Sequence, residues 1–382
     1  MKLRTRRALI NFAFFGGALC FILYLNIHQS WSSDAKTFAW TTVRYQTTAA
    51  VLPAAHGKCP GLAESSKPAL VVSRVSADGD PKWLDPLADL YHACIYNADT
   101  LTDEGHLQVP ANRGHEAMAY LTFIVDNYEE FPTAGAVFVH GSRWAWHNDA
   151  QDYDNAALLA ALNVPAALEP MGYHNLRCDW SASTCAPNYG PAQGSLETSL
   201  NARLQPWDAR AVSDAALSQA LTSLFGGDDP AGSGRTLLGR GDKLRAQCCA
   251  QFVVSRQRVW QHSREEYVAL RQWLLDGSSD RISKEDAQAR YVAPADDRIA
   301  GRILSYIWHI IFLPQDLSNA PGAVGGVELD RLNELACPRA DDCYCRLYGR
   351  CNLEGCNDGG CHGQYVLPPD FSLPEDWAAT HP

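Results

Sequence analysis

The chain has 382 residues, 32 Lys and Arg against 43 Asp and Glu, and a formal net charge of −11. With 46% hydrophobic and 20% charged residues, this is globular composition, which excludes a disordered or collagenous chain. The acid balance argues against a general nucleic-acid binder, because phosphate contact needs a basic face.

Lys2, Arg4, Arg6 and Arg7 precede an apolar run from Ala8 to Ile27, and no acid occurs before Asp34. Such a run is about long enough to cross a bilayer as a helix, which takes roughly 20 residues. No convincing small-x-small cleavage site follows it, and the charges place the N-terminus in the cytosol. The reading is a single-pass type II signal anchor, 8–27, with a cytosolic tail, 1–7, and the bulk in the lumen of the secretory pathway, in the Golgi by preference. The alternative is a long signal peptide and full secretion. No Asn-x-Ser/Thr sequon occurs, so N-glycosylation is not expected.

Residues 28–67 are rich in Thr, Ala, Ser and Pro without periodicity and read as a flexible stem. Regular structure is expected from Pro68. Ala69–Val75, Ala93–Tyr96, Ala136–His140 and Ala250–Val254 are short apolar runs of strand character. Trp83–Leu90 and Tyr153–Leu162 read as helices. His115–Tyr128 carries apolar residues at helical spacing, with Asn112 at the N-terminal cap position and Gly114 easing the turn. An irregular insertion covers about 187–243, with a weak helix near Ala211–Leu224. Ser263 and Glu266 form a capping box that opens a helix through Leu275. Ile299, Ile303, Tyr306, Ile307 and Ile310 line one long helix ending near Phe312. The expectation is a lumenal α/β domain, 68–313, built on a mixed, mostly parallel sheet flanked by helices.

Thirteen cysteines are present, and Cys20 lies in the anchor. Six crowd a tail, 314–382: Cys337, Cys343, Cys345, Cys351, Cys356 and Cys361. Cys178 and Cys185 are close, and Cys248 and Cys249 are adjacent. In an oxidising lumen this is a disulfide framework whose connectivity the sequence leaves open, with zinc binding as the rival.

Three segments carry candidate chemistry. Asn112-Arg-Gly-His-Glu116 opens a helix, where free N–H groups and the Arg113 fork suit an anion; equally, Asn112 caps and Glu116 favours the helix end. His140 to Asp149 follows a strand end, where open α/β sheets bind ligands, and offers His140, His147, Arg143, Trp144 and Trp146. Asp152-Tyr-Asp154 is an acidic pair suited to Mn²⁺ or Mg²⁺ on a diphosphate, or Asp154 starts the next helix. Sequences of P-loop, nucleophile-elbow and zinc-helix type are missing.

Several blocks in order resemble the uncharacterised fungal family known as domain of unknown function 3431. They are Val71–Val75 with Trp83, then Asn112, Gly114, Glu116, Tyr120 and Leu121, with His115 where the family has Arg more commonly. Asp126-Asn-Tyr128, Phe138, His140-Gly141, Trp146 and Asn148 follow, then Gly172-Tyr173, Leu176–Trp180, Gln251–Arg256, Tyr267, Gly301 and Tyr306–Phe312. The match covers roughly 69–313. The layout is similar to GT-A glycosyltransferases, an analogy of plan that does not establish function. It implies a nucleotide-sugar donor and a glycan acceptor as partners. Asp152 and Asp154 would hold the metal, and Asn112 and Arg113 would orient the nucleotide. His140 or Glu116 would be the base, with Trp144, Trp146 and His147 against the sugar. The rival expectations are a non-catalytic carbohydrate-binding protein, and a hydrolase using His140, His147 and Asp149.

Overall fold

A computed structural model of the chain describes residues 3–27, 36–45, 57–100, 105–150, 152–227, 234–278, 292–316 and 326–365. Six strands form the main sheet: β2 (Ala69–Arg74), β3 (His92–Asn97), β4 (Leu107–Gln108), β5 (Ala136–His140), β6 (Tyr173–Asn175) and β7 (Phe252–Val254). Their order is β4-β3-β2-β5-β7-β6. The pairs β4–β3, β3–β2 and β2–β5 are parallel, and β7 runs antiparallel to both its neighbours. The expected mixed, mostly parallel sheet flanked by helices is therefore present.

Both faces of this sheet are covered, which is why its strands read as continuous apolar runs rather than alternating ones. Val71, Phe138, Phe252 and Val254 face one core, against helices Glu116–Asp126, Arg264–Asp276, Asp297–Ser305 and Trp308–Phe312. Leu70, Val72, Val137, Val139 and Val253 face a second, with Trp83, Leu84 and helix Asn155–Ala161. The capping box at Ser263 and Glu266 forms as expected and opens Arg264–Asp276.

The tail is part of this second core. Helix Ala340–Tyr348 buries Ala340, Cys343, Tyr344 and Leu347 there, so the division at 313 does not mark a change of core. All twelve cysteines outside the N-terminal helix pair: Cys59–Cys94, Cys178–Cys343, Cys185–Cys337, Cys248–Cys249, Cys345–Cys351 and Cys356–Cys361. The one group of three metal-ligating side chains among the described residues is Cys59, His92 and Cys94, and both its sulfurs are spent in a disulfide.

Several expected elements differ. Parts of the supposed stem are packed: Thr37–Phe38 (β1) pairs with Val327–Glu328 (β8), and Phe38 stacks on Trp40 at 4.2 Å, both wholly buried. Two isolated aromatics without periodicity give no pattern to read, although their burial is worth several kcal/mol (about 2–3 each). Residues 28–35 and 46–56 of that segment lie outside the described ones. Trp83–Leu90 is instead a 3₁₀ helix, Pro81–Leu87, since Pro86 has no N–H for an α-helical bond. The long helix from Ile299 is two, Asp297–Ser305 and Trp308–Phe312. The Tyr306 N–H is shared between Arg302 and Ile303 carbonyls and that of Ile307 turns to Leu304, a tightening that redirects the chain. The region 187–243 holds two helices, Leu196–Leu204 and Ala209–Phe225.

The N-terminal segment is a helix, Leu3–Ile27. Its longest uninterrupted run of described side chains is Leu9–Tyr24, and among the described residues no helix is long and apolar enough to cross a membrane.

Candidate functional site

β5 ends on His140, and helix Glu116–Asp126 begins beside it. Gly114 and His115 both take the left-handed backbone, φ 74° and 51°, so the helix starts at Glu116, after a sharp turn. A side chain at 114 would strike Leu274 at 2.7 Å, which is why glycine is required. This turn directs the Glu116 carboxylate at the His140 ring, with Oε2 4.0 Å from Nδ1.

The other ring nitrogen, Nε2, lies 2.7 Å from the Cys249 carbonyl oxygen. A carbonyl only accepts, so Nε2 carries the proton and Nδ1 is the free basic position, facing Glu116. The ring centroid of His147 is 4.2 Å from that of His140, and Trp146 meets His147 edge-on at 5.6 Å. Burial, then the charges of His140 and Arg177, push His147 down to about 2, so this imidazole is neutral at physiological pH.

These four groups share a cavity of about 570 Å³, in the usual size range of small-molecule sites. Arg298, Arg302 and Tyr306 also line it, as does the adjacent disulfide Cys248–Cys249. The cavity lies at the carboxyl end of β5, where open α/β sheets place ligands. Glu116, His140, Trp146 and His147 are thus brought together as the sequence suggested. Arg302, Tyr306 and Gln247 were not legible in it, because their neighbours in sequence mark only buried faces. The Cys248-Cys249 doublet was the one visible signal.

Five other expectations fail on geometry. Asn112 is exposed and caps nothing, the helix starting four residues later. Arg113 is buried and donates to the carbonyls of Leu274, Gly277, Pro294 and Ala295 and to Asp297, 3.0 Å away. It clamps two loops instead of facing a ligand. Replacing it, Arg113→Leu, strands those acceptors and is expected to cost about 3 kcal/mol. Denaturant unfolding measures this; unchanged stability would restore Arg113 as a ligand group.

Trp144 is held by the Arg143 guanidinium, 4.5 Å from its ring, and does not line the cavity. Asp154 binds Arg143 through both oxygens, at 2.9 and 2.8 Å, and caps helix Asn155–Ala161 through the Ala156 N–H. Asp152 accepts from the Asp154 N–H. With both Asp154 oxygens committed, this pair does not fit a Mn²⁺ or Mg²⁺ site, which needs free carboxylate oxygen. Asp149 is equally committed, accepting from the Cys178 N–H and the hydroxyls of Tyr344 and Tyr365.

The class so defined is a disulfide-braced α/β protein with a strand-end cavity that holds an imidazole–carboxylate pair. The chain belongs to the family described as "Protein of unknown function (DUF3431)", whose pattern matches residues 70–346. No curated protein and no solved structure matches it. The family's extent reaches into helix Ala340–Tyr348, in keeping with the tail's place in the second core.

Proposed function

We infer that the protein is a glycosyltransferase-like enzyme of the secretory pathway, held by its N-terminal helix and acting on a nucleotide-sugar donor and a glycan acceptor. The observation that carries this reading is the His140–Glu116 pair in a cavity at the carboxyl end of β5, with Trp146 at its rim. The mostly parallel sheet with one antiparallel strand supports the GT-A-like plan.

In this reading Nδ1 of His140 takes the proton of an acceptor hydroxyl. The acceptor oxygen attacks the anomeric carbon from the face opposite the leaving group, and the bond to the diphosphate breaks, inverting the configuration. Glu116 stabilises the imidazolium that forms, and the Cys249 carbonyl fixes the tautomer throughout. Trp146, 60% exposed, offers an apolar face to a sugar ring.

The test is thermal shift of the full chain in detergent, disulfides intact, against nucleoside diphosphates and nucleotide sugars. A ligand at a hundred times its dissociation constant adds roughly 2.7 kcal/mol. With the donor so named, His140→Gln should lower kcat about 100-fold. No response to any nucleotide, with saturable glycan binding that Trp146→Ala removes, would replace this reading with a non-catalytic carbohydrate-binding protein; the exposed indole favours that second reading.

Anchoring is supported by the helix itself. Phe12, Phe14, Phe15 and Phe21 are all more than 60% exposed, so this apolar surface is not covered by the other described residues. Six disulfides agree with an oxidising lumen. Extraction of the protein from membranes by alkaline carbonate would overturn the anchor.

A further inference from the structure

Arg298 and Arg302 line the same cavity as the imidazole pair, in a chain whose net charge is −11; Arg298 is forked to Asp296 at 3.3 and 2.9 Å, so its charge is already offset and Arg302 is the wall's main cation. Arg298 and Arg302 lie one helical turn apart on Asp297–Ser305, so both reach the same side. Arg302 donates to the Tyr306 hydroxyl at 2.9 Å, and that hydroxyl donates to Asp214 at 2.7 Å. The Arg302 Nε is buried without a hydrogen-bond partner.

Arg245, only 6% exposed, does not itself line the cavity, and neither its Nη1 nor its Nη2 is hydrogen-bonded among the described residues. Its chain neighbours Ala246 and Gln247 line the cavity. Arg245 and Arg210 approach the Tyr189 ring at 5.9 and 5.4 Å. Arg245 and Arg302 interact electrostatically with the same three groups, Asp214, Tyr189 and Tyr306. Three guanidinium groups therefore share one carboxylate. A buried guanidinium that makes no hydrogen bond is costly, and an anion is the partner that would satisfy it.

We propose that the Arg302 wall of the cavity, strengthened by the charge of Arg245, is a binding subsite for a phosphate-class anion, the diphosphate of the donor, held by guanidinium groups without a divalent metal. The assignment to a donor rests on the transferase reading above; the anion subsite stands on the arginines alone. It accounts for Asp154 being closed by Arg143: leaving-group charge is neutralised from this wall instead of by a metal.

The experiment is calorimetric titration of inorganic pyrophosphate into the full chain, disulfides intact, in excess EDTA. Binding is expected without metal and weakened by salt. Arg302→Gln should weaken it about 10- to 100-fold, the worth of a lost charge-assisted hydrogen bond. Arg245→Met should weaken it about 10-fold while leaving Tm unchanged or raised, because a partnerless buried charge is removed. A fall in Tm with unaltered affinity would make Arg245 structural and overturn its part. Where Arg302→Gln does not fold, Arg302→Lys, which keeps the charge and loses the fork, should weaken binding several-fold. Absence of binding in EDTA, binding that appears only with Mn²⁺, or unaltered affinity in these variants overturns the proposal. Pyrophosphate that binds while no nucleotide sugar binds or reacts removes the transferase reading alone. A nucleotide sugar that binds only with Mn²⁺ and ignores Arg302 removes the metal-free subsite alone.

Discussion

Acidification from pH 6.5 to pH 5 is expected to lower the unfolding free energy by about 3 kcal/mol through two histidines alone. His309 and His174 are 3% and 8% exposed, and burial pushes their imidazoles down to about 3 and about 4. Between these values and 6.5 the unfolded chain binds protons that the folded chain refuses. The stabilisation is complete above pH 6.5 and is lost as the pH falls towards 4 and 3, at up to about 1.4 kcal/mol per unit for each ring. His147 adds a smaller contribution of the same sign, since it borders the cavity. Asp78 and Asp214, raised chiefly by burial, act in the opposite sense: their contribution is present at low pH and is lost as the pH rises.

Comparison with His309→Leu cancels those opposing groups. Nε2 of His309 is buried without a hydrogen-bond partner, so an apolar side chain of similar size costs little at pH 7. The variant should lose about 2 kcal/mol less than the parent between pH 6.5 and 5. Parallel stability curves for the two proteins would show that His309 is not held neutral.

Removal of the Cys178–Cys343 disulfide is expected to cost about 3 kcal/mol by loop-closure entropy, since with the nested Cys185–Cys337 bond intact it closes a loop of only about 15 residues, 178–185 and 337–343. Both cysteines are buried, and the bond ties helix Ala340–Tyr348 to the segment after β6. The double variant Cys178→Ala/Cys343→Ala tests this by denaturant unfolding. Removing Cys345–Cys351, with a separation of 6, should cost only about 2 kcal/mol. Equal losses at the two bonds would mean that restriction of the unfolded chain does not set their value. A large loss confined to the first pair would also show that the tail stabilises the domain.

Much of the architecture was legible because local chemistry and tertiary structure agree. The runs at Ala69, Ala93 and Ala136 are strands since both faces of their sheet are covered, and the Ser263–Glu266 box needs no tertiary partner to be recognised. His140, Glu116, Trp146 and His147 could be proposed because each adjoins the end of a strand or the start of a helix, where topology predisposes a site. Arg113 and Asp154 misled for a physical reason. A guanidinium or carboxylate has the same appearance in sequence whether it meets a ligand or closes an internal ion pair. Only the Asp297 carboxylate and the Arg143 fork, distant or oppositely charged neighbours in the fold, decide between them.

The sequence by itself determined the acidic balance, the abundance of cysteine, the apolar N-terminal helix and the order of the main elements. Each is a sum over composition or a pattern within one turn or one strand. Tertiary structure alone decided which cysteines pair, that Phe38 and Trp40 join the core, and that Arg302 shares a cavity with His140. These relations join residues nearly three hundred positions apart, as Phe38 and Val327 are, and no local propensity encodes them; they exist only once the chain has closed on its two cores.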